Sequence, residues 1–263
     1  MADKLKPLTV LSLFDGISCG RVALQRANIP VAKYYASEID KYAIEIAQKN
    51  FPNTIQLGNV KEIDFTKFVG KIDLLIGGSP CQDLSIAGKH KGLKGERSGL
   101  LFNYIQALNI IKPKYFLLEN NASMSKENKD KITELMGVEP MLINSALFSA
   151  QNRKRLYWTN IQIQEIIDKN IILQDILEFG TTPRKKSKTV RCGGSGSSWG
   201  NKHEWDMPNP ERRYTTIELE RLQTLPDNYT NCGVSETQRR KTIGNGWTVD
   251  VISHIFSFIP KED

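Results

Sequence analysis

A chain of 263 residues with 40% hydrophobic and 25% charged content can bury one substantial core plus a small appendage, which excludes a disordered or fibrous protein. No apolar run approaches the roughly 20 residues that span a bilayer, and Met1-Ala2-Asp3-Lys4 lacks the charged-then-apolar pattern of a secretion signal, so an intracellular protein without membrane contact is expected. The four cysteines, at 19, 81, 192 and 232, make no CxxC pair and the three histidines are scattered, which argues against a disulfide framework and a metal site; the net charge of +7 favours a polyanionic partner.

Residues 8–14 form a predicted buried strand that runs into Asp15-Gly16-Ile17-Ser18-Cys19-Gly20, and Val22, Ala23 and Leu24 then begin a helical pattern. In an open parallel sheet such a turn lies at the carboxyl edge, where small residues let a cofactor approach the backbone. Its spacing is not GxGxxG, so taken alone it is better read as a structural turn. A second strand, 31–37, ends at Glu38-Ile39-Asp40, and Tyr42, Ala43, Ile46 and Ala47 then recur at helical spacing. Glu38 stands about 20 residues past the glycine turn, where a ribose-binding carboxylate belongs, with Ile39 beside it to pack on adenine. Asp40 is better read as a helix cap. A third short strand, 55–57, delivers Gly58-Asn59-Val60 to the same edge. Together these turns point to a nucleoside cofactor, and without a Walker lysine they leave NAD or S-adenosylmethionine rather than ATP.

The apolar run 72–76 leads into Gly77-Gly78-Ser79-Pro80-Cys81-Gln82-Asp83. By itself a single cysteine in a strand-to-loop turn is a buried, inert thiol. Here it precedes Gly88, Gly92, Gly95 and Gly99, interleaved with Lys89, His90, Lys91, Lys94 and Arg97, which describes a nucleophile beneath a basic, glycine-hinged lid. Leu101, Ile105 and Leu108 mark a helix that ends at Lys112-Pro113, and a strand at 115–118 presents Glu119-Asn120-Asn121 at its end. A core strand would avoid that carboxylate unless it were solvated or used. After a charged helix at 126–136, residues 141–148 and 156–161 read as strands flanking Gln151-Asn152-Arg153-Lys154-Arg155. A second basic run, Arg184-Lys185-Lys186-Ser187-Lys188-Thr189-Val190-Arg191, concentrates the charge, and the glycine- and serine-rich stretch after it, with Ser197 and Trp199, suits a loop that orders on a nucleic-acid groove. Thr215 and Thr216 cap a helix running to 224, residues 226–229 turn, and 235–241 form a short basic helix. Gly244-Asn245-Gly246-Trp247-Thr248 then enters a last amphipathic segment, 249–258.

In their order and spacing, Phe14-Asp15-Gly16-Ile17-Ser18-Cys19-Gly20, Ser79-Pro80-Cys81-Gln82, Glu119-Asn120-Asn121, Gln151-Asn152-Arg153-Lys154-Arg155 and Gly244-Asn245-Gly246-Trp247-Thr248 resemble the DNA (cytosine-5) methyltransferase family over nearly the whole chain. The short region before the last motif and Tyr214-Thr215-Thr216-Ile217-Glu218-Leu219-Glu220-Arg221 look like the de novo-type members, whereas Gln82 looks more like bacterial and phage enzymes. Asn59 departs from a frequent Asp and Asn121 from a common Val. The resemblance implies a Rossmann-like α/β methyltransferase fold, a mostly parallel mixed sheet with helices on both faces, divided into a catalytic domain at 1–159, a small target-recognition region at 160–212 and a C-terminal return at 213–263.

It further implies S-adenosylmethionine as cofactor, leaving S-adenosylhomocysteine, over Phe14, Asp15, Gly16, Ile17, Ser18, Cys19 and Gly20. Glu38 would hold the ribose, Ile39, Asn59 and Val60 would surround adenine, Ser79 and Pro80 would border the cofactor, and Asn245 and Trp247 would cover it. Cys81 would be the nucleophile toward carbon 6 of cytosine, Glu119 would relieve charge at N3, Arg155 would hold O2 and Arg153 would support the site. Double-stranded DNA would meet Gln82, Ser85, Lys89, Lys91 and Arg97 around a flipped base, and Arg184, Lys185, Lys186, Lys188, Arg191, Ser197 and Trp199 would read a short site, two to four bases, in the major groove. Such a protein belongs in the cytoplasm of a bacterium or phage host, or in a nucleus. Cytosine methylation in RNA, a silent DNA-binding scaffold and a nicotinamide oxidoreductase are the competing functions; the last leaves the thiol, the acid and the basic turn unexplained.

Overall fold

A computed structural model of the chain describes residues 6–79, 99–192 and 212–260. Its frame is a seven-stranded sheet in the order β3-β2-β1-β4-β5-β7-β6. The strands are β1 (Leu8–Leu13), β2 (Val31–Ser37), β3 (Ile55–Gln56), β4 (Leu74–Gly78), β5 (Tyr115–Asn121), β6 (Met141–Asn144) and β7 (Lys154–Thr159). The first five pair in parallel, and β7 is antiparallel to both β5 and β6.

The apolar runs seen in the sequence are continuous because both faces of the sheet are covered. Along β1, β4 and β5, Val10, Leu74, Ile76 and Leu117 enter one core, and Leu11, Leu13, Leu75, Phe116 and Leu118 enter the other. The first core is closed by α1 (Cys19–Arg26), α2 (Lys41–Asn50) and α8 (Val249–Phe256), through Val22, Ala43, Ile46, Val251, Ile252 and Ile255. The second is closed by α3 (Gly99–Ile111) and α4 (Lys126–Met136), through Leu101, Tyr104, Ile105, Ile132 and Met136. A third, smaller cluster joins α5 (Leu173–Ile176) to α6 (Thr216–Leu222) and Ile243 of α7 (Glu236–Asn245). Thus the described part of 160–212 packs on the C-terminal return.

The chain moves outward from β1 to β3 and then from β4 to β5 on the other side, so the order reverses between β1 and β4. That switch point is where open α/β sheets take their ligands. Several predicted boundaries move. The fourth strand is not 72–76 but β4, because Gly77 and Gly78 stay in the ladder opposite Leu118 and Glu119. Glu119 therefore lies inside β5, with Tyr157 opposite on β7, instead of following the strand. The strand predicted at 141–148 stops at Asn144, whose side chain caps a short turn at Ser145–Leu147. Lys154 and Arg155 belong to β7, not to a turn. The short basic helix continues to Asn245 as α7.

Candidate active site

The turn after β1 is tight and unusual in its backbone. Phe14, Gly16 and Ser18 all have φ near +60° (60°, 59° and 59°). For Phe14 and Ser18 this left-handed geometry costs about 1 kcal/mol each, and it is retained where the surroundings hold it, as at ligand-binding turns. A Cβ on Gly16 would meet nothing within 4 Å, so the space above the turn is open. Asp15 accepts hydrogen bonds from Ser18 Oγ at 2.5 Å and Tyr34 Oη at 2.7 Å. Burial nevertheless raises the Asp15 pKa, against the pull of these donors. Glu38, at the end of β2, takes the Gly16 N–H at 2.8 Å on Oε2 and the Ile39 and Asp40 N–H groups at 2.7 and 2.9 Å on Oε1. Ile39 beside it is 74% exposed, an apolar side chain with no core to pack on.

The remaining members of the predicted cofactor set differ in exposure. Asn59 is half-buried, and its side chain accepts from Lys61 N at 3.1 Å. Val60 and Ile17 are buried. Cys19 is a core residue, 3% exposed, and burial pushes its thiol pKa up to about 12. Ser79 is also buried, with its hydroxyl taken by Asn120 Nδ2 at 3.0 Å.

Across the switch point, Glu119 is held from two sides. Arg155 Nε lies 2.8 Å from Oε1, and Trp247 Nε1 donates to Oε2 at 3.2 Å. The carboxylate is buried, yet both partners are donors, which offsets its desolvation. Gly78 makes this possible. A Cβ there would sit 2.7 Å from Trp247 Nε1 and 3.0 Å from Glu119 Oε2. Pro80, Cys81, Gln82, Ser85, Lys89, Lys91, Arg97, Ser197 and Trp199 lie outside the described residues. Gly78 and Ser79, the last described residues before Cys81, adjoin Glu119 and Asn120.

Arg153 does not reach Glu119 in the described contacts. Buried at 5% exposure, it donates to the carbonyls of Val190 at 2.9 Å and Gly246 at 3.0 Å, so it braces the turn that carries Trp247. The sequence reading missed its companions. Gln223, fully buried, donates from Nε2 to the Ile243 and Gly246 carbonyls at 3.0 and 3.1 Å and accepts from Thr248 Oγ1 at 2.9 Å. Gln151, also fully buried, donates to the Leu222 carbonyl at 2.7 Å and to Gln223 Oε1 at 3.1 Å. The one available signal was a glutamine set between Leu222 and Leu225, where an apolar residue would otherwise be expected.

A model of the C-5 cytosine-specific DNA methylase family matches residues 8–192 and 178–261. The chain belongs to this family. Among its curated members, orphan methyltransferase M.Rho11sI of Bacillus phage rho11s is 34% identical over 211 residues, covering 74% of this chain and 41% of that protein. Type II methyltransferase M1.ScrFI of Lactococcus lactis subsp. cremoris is 28% identical over 301 residues, covering 94% of this chain and 76% of its own. The chain spans about two fifths of the length of the phage relatives, 41% and 39% for the two first matched. Among solved structures, Entamoeba histolytica methyltransferase EhMeth superposes with a TM-score of 0.78 at 18% identity, covering 96% of this chain and 98% of that one. S. pombe Dnmt2 methyltransferase gives 0.73 at 21%, covering 95% and 97%. These likenesses carry the fold, the α/β methyltransferase architecture expected from the sequence.

In this methylase family member the basic run 184–191 divides by role. Arg184, Lys185, Lys188 and Arg191 are exposed. Lys186 is instead a structural residue: its ammonium donates to the carbonyls of Ala146, Ser149 and Ile171 at 2.5, 3.0 and 2.6 Å, and burial lowers its pKa. Its three protons are spent on the protein's own carbonyls. The backbone here is pinned to the site, since Ser187 pairs with Gln151 and a Cβ on Gly244 would lie 2.3 Å from the Arg191 carbonyl carbon. Asn245 is exposed at the rim. Among the described residues no three His, Cys, Asp or Glu side chains group as metal ligands, and no helix is long and apolar enough to cross a membrane.

Proposed function

We propose that this protein transfers a methyl group to carbon 5 of cytosine in double-stranded DNA, with Cys81 as nucleophile and Glu119 as the acid that meets the ring. The observation that carries this is the buried Glu119 carboxylate, gripped by Arg155 and Trp247 at the topological switch point and opposite Gly78, three residues before Cys81.

Carbon 5 of cytosine is too weak a nucleophile to take a methyl group directly. Addition of the Cys81 thiolate to carbon 6 makes carbon 5 enamine-like, and the negative charge that develops at N3 is relieved by the protonated Glu119 carboxyl, which donates its proton there. Arg155, whose Nε holds Glu119, has further N–H donors with which to meet the ring O2. A base then takes the carbon 5 proton, and elimination across carbons 5 and 6 frees the thiolate. Because carbon 6 is enclosed in stacked duplex, the cytosine must leave the helix, at a cost of a few kcal/mol.

S-adenosylmethionine, when bound, supplies the methyl group. The open turn at Gly16, the Glu38 carboxylate and the exposed Ile39 side chain suit a ribose and an adenine, so these residues would hold it. Exposed basic residues at 184, 185, 188 and 191 suit a phosphate backbone, and the type II and orphan methyltransferases among the relatives make a bacterial or phage setting, in the cytoplasm, the natural one. The test is methylation of random-sequence duplex DNA and of RNA by purified protein with S-adenosylmethionine. Site-specific 5-methylcytosine at short sites in DNA is expected, and it should vanish in Cys81→Ser. Transfer to RNA alone, or to neither, would refute the proposal.

A further inference from the structure

Trp247 does more than a residue that only covers a cofactor would need to do. An indole N–H donates and cannot accept, and this one is directed at Glu119 Oε2 at 3.2 Å while Arg155 holds Oε1 at 2.8 Å. The ring is confined: a Cβ on Gly78 would lie 2.7 Å from Nε1 and 3.3 Å from Cε2, and a Cβ on Gly20 would lie 3.3 Å from Cζ3. Its main chain is fixed on both sides. The Gly246 carbonyl before it receives Arg153 and Gln223 at 3.0 and 3.1 Å, and the Thr248 hydroxyl after it bonds Gln223 and accepts from Ser145, each at 2.9 Å. Two buried side chains from different parts of the chain thus converge on the placement of one indole.

We infer that Trp247 is a positioning residue for the acid: its N–H locks the rotation of the Glu119 carboxyl group so that the remaining sites, one of them carrying the proton for N3, face the cytosine ring in a single orientation. The terminal torsion of a glutamate is broad and roughly two-fold, so one donor on one oxygen leaves the other free to swing. With Arg155 on Oε1 and Trp247 on Oε2, one further site remains on each oxygen, and its direction is set. The inference rests on the proposal that Glu119 is the acid of the reaction.

The decisive variants are Trp247→Phe and a benzothienyl side chain at 247, in which sulfur replaces the N–H with little change of shape. For both, kcat for methyl transfer should fall about tenfold or more, the usual scale for losing a hydrogen bond to a charged acceptor, while in the isosteric benzothienyl variant the dissociation constant for S-adenosylmethionine stays within about twofold. Coupling separates positioning from packing. In Glu119→Gln, adding Trp247→Phe should cost less than about twofold more, because the two act as one unit. Unchanged kcat with weakened cofactor binding, or full additivity with Glu119→Gln, would overturn the inference and leave the acid intact. Wild-type rates in Glu119→Gln would overturn the proposal for the acid itself, and this inference with it.

Discussion

Replacing Gly78 by alanine adds one methyl group at the contact between β4, Glu119 and Trp247. Gly78 does not have a positive φ, so the backbone accepts alanine and the effect is steric. The new Cβ would stand 2.7 Å from Trp247 Nε1 and 3.0 Å from Glu119 Oε2, against 3.4 Å for ordinary contact, so the indole must retreat by about 0.7 Å. It cannot do so freely, being confined beside Gly20 and tied through Gly246 and Thr248. Overpacking of this kind costs about 1–3 kcal/mol of stability. A displacement approaching 1 Å in a catalytic constellation costs on the order of 100-fold in rate. Steady-state methyl transfer and urea denaturation should therefore show Gly78→Ala folded, modestly destabilised and about 100-fold slower. Gly137→Ala is the control. Its φ of +68° makes alanine strained, but nothing lies within 4 Å of the new methyl, so it should lose about 1 kcal/mol of stability and no activity. A Gly78→Ala protein that turns over within threefold of wild type would refute the reasoning about this contact.

Gln223→Leu removes one hydrogen-bond partner each from the Ile243 and Gly246 carbonyls, the Gln151 amide and the Thr248 hydroxyl, so chemical denaturation should show a loss of about 2–4 kcal/mol; a loss under 1 kcal/mol would mean the remaining partners and water replace the amide. Lys186→Ala should lower stability by about 1.5–3 kcal/mol and leave the salt dependence of DNA binding unchanged. Lys185→Ala should leave stability unchanged and reduce the log–log salt slope by about one, which fluorescence anisotropy across a salt series would measure. For Cys19, the folded thiol pKa of about 12 lies above the unfolded value, so its contribution is intact below about pH 8.5 and is lost as pH rises toward 12. Relative to Cys19→Ala, the wild type should lose up to roughly 1.4 kcal/mol per pH unit between 9 and 11, and Cys19 should be the slowest described thiol to react with an alkylating reagent.

Much of this was legible in the chain because it rests on local chemistry. A strand buried on both faces reads as an unbroken apolar run, so β1, β4 and β5 were visible, and Thr215 announced α6 as its cap. The glycine turns and Glu38 could be placed because a parallel sheet puts every strand's carboxyl end at one edge. What could not be read depends on pairing across long separations. Glu119 falls within β5 only because β7 returns antiparallel beside it. Lys186 was expected at DNA and Arg153 in support of the site, since sequence cannot tell a cation facing a ligand from one facing the protein's own carbonyls. Nor does it reveal that Gln151 and Gln223, 72 residues apart, meet in the core beside the turn that carries Trp247.

The central claim, attack by Cys81 on a flipped cytosine beside Glu119, is tested most directly with a duplex carrying 5-fluorocytosine at the methylated position. Fluorine on carbon 5 cannot leave as the proton does, so the thioether at carbon 6 persists after methyl transfer. A denaturation-stable protein–DNA adduct that needs S-adenosylmethionine, maps by mass spectrometry to the Cys81 peptide and is absent in Cys81→Ser is predicted. An adduct on another residue, or methylation of ordinary duplex with no adduct formed on the fluorinated one, would contradict it.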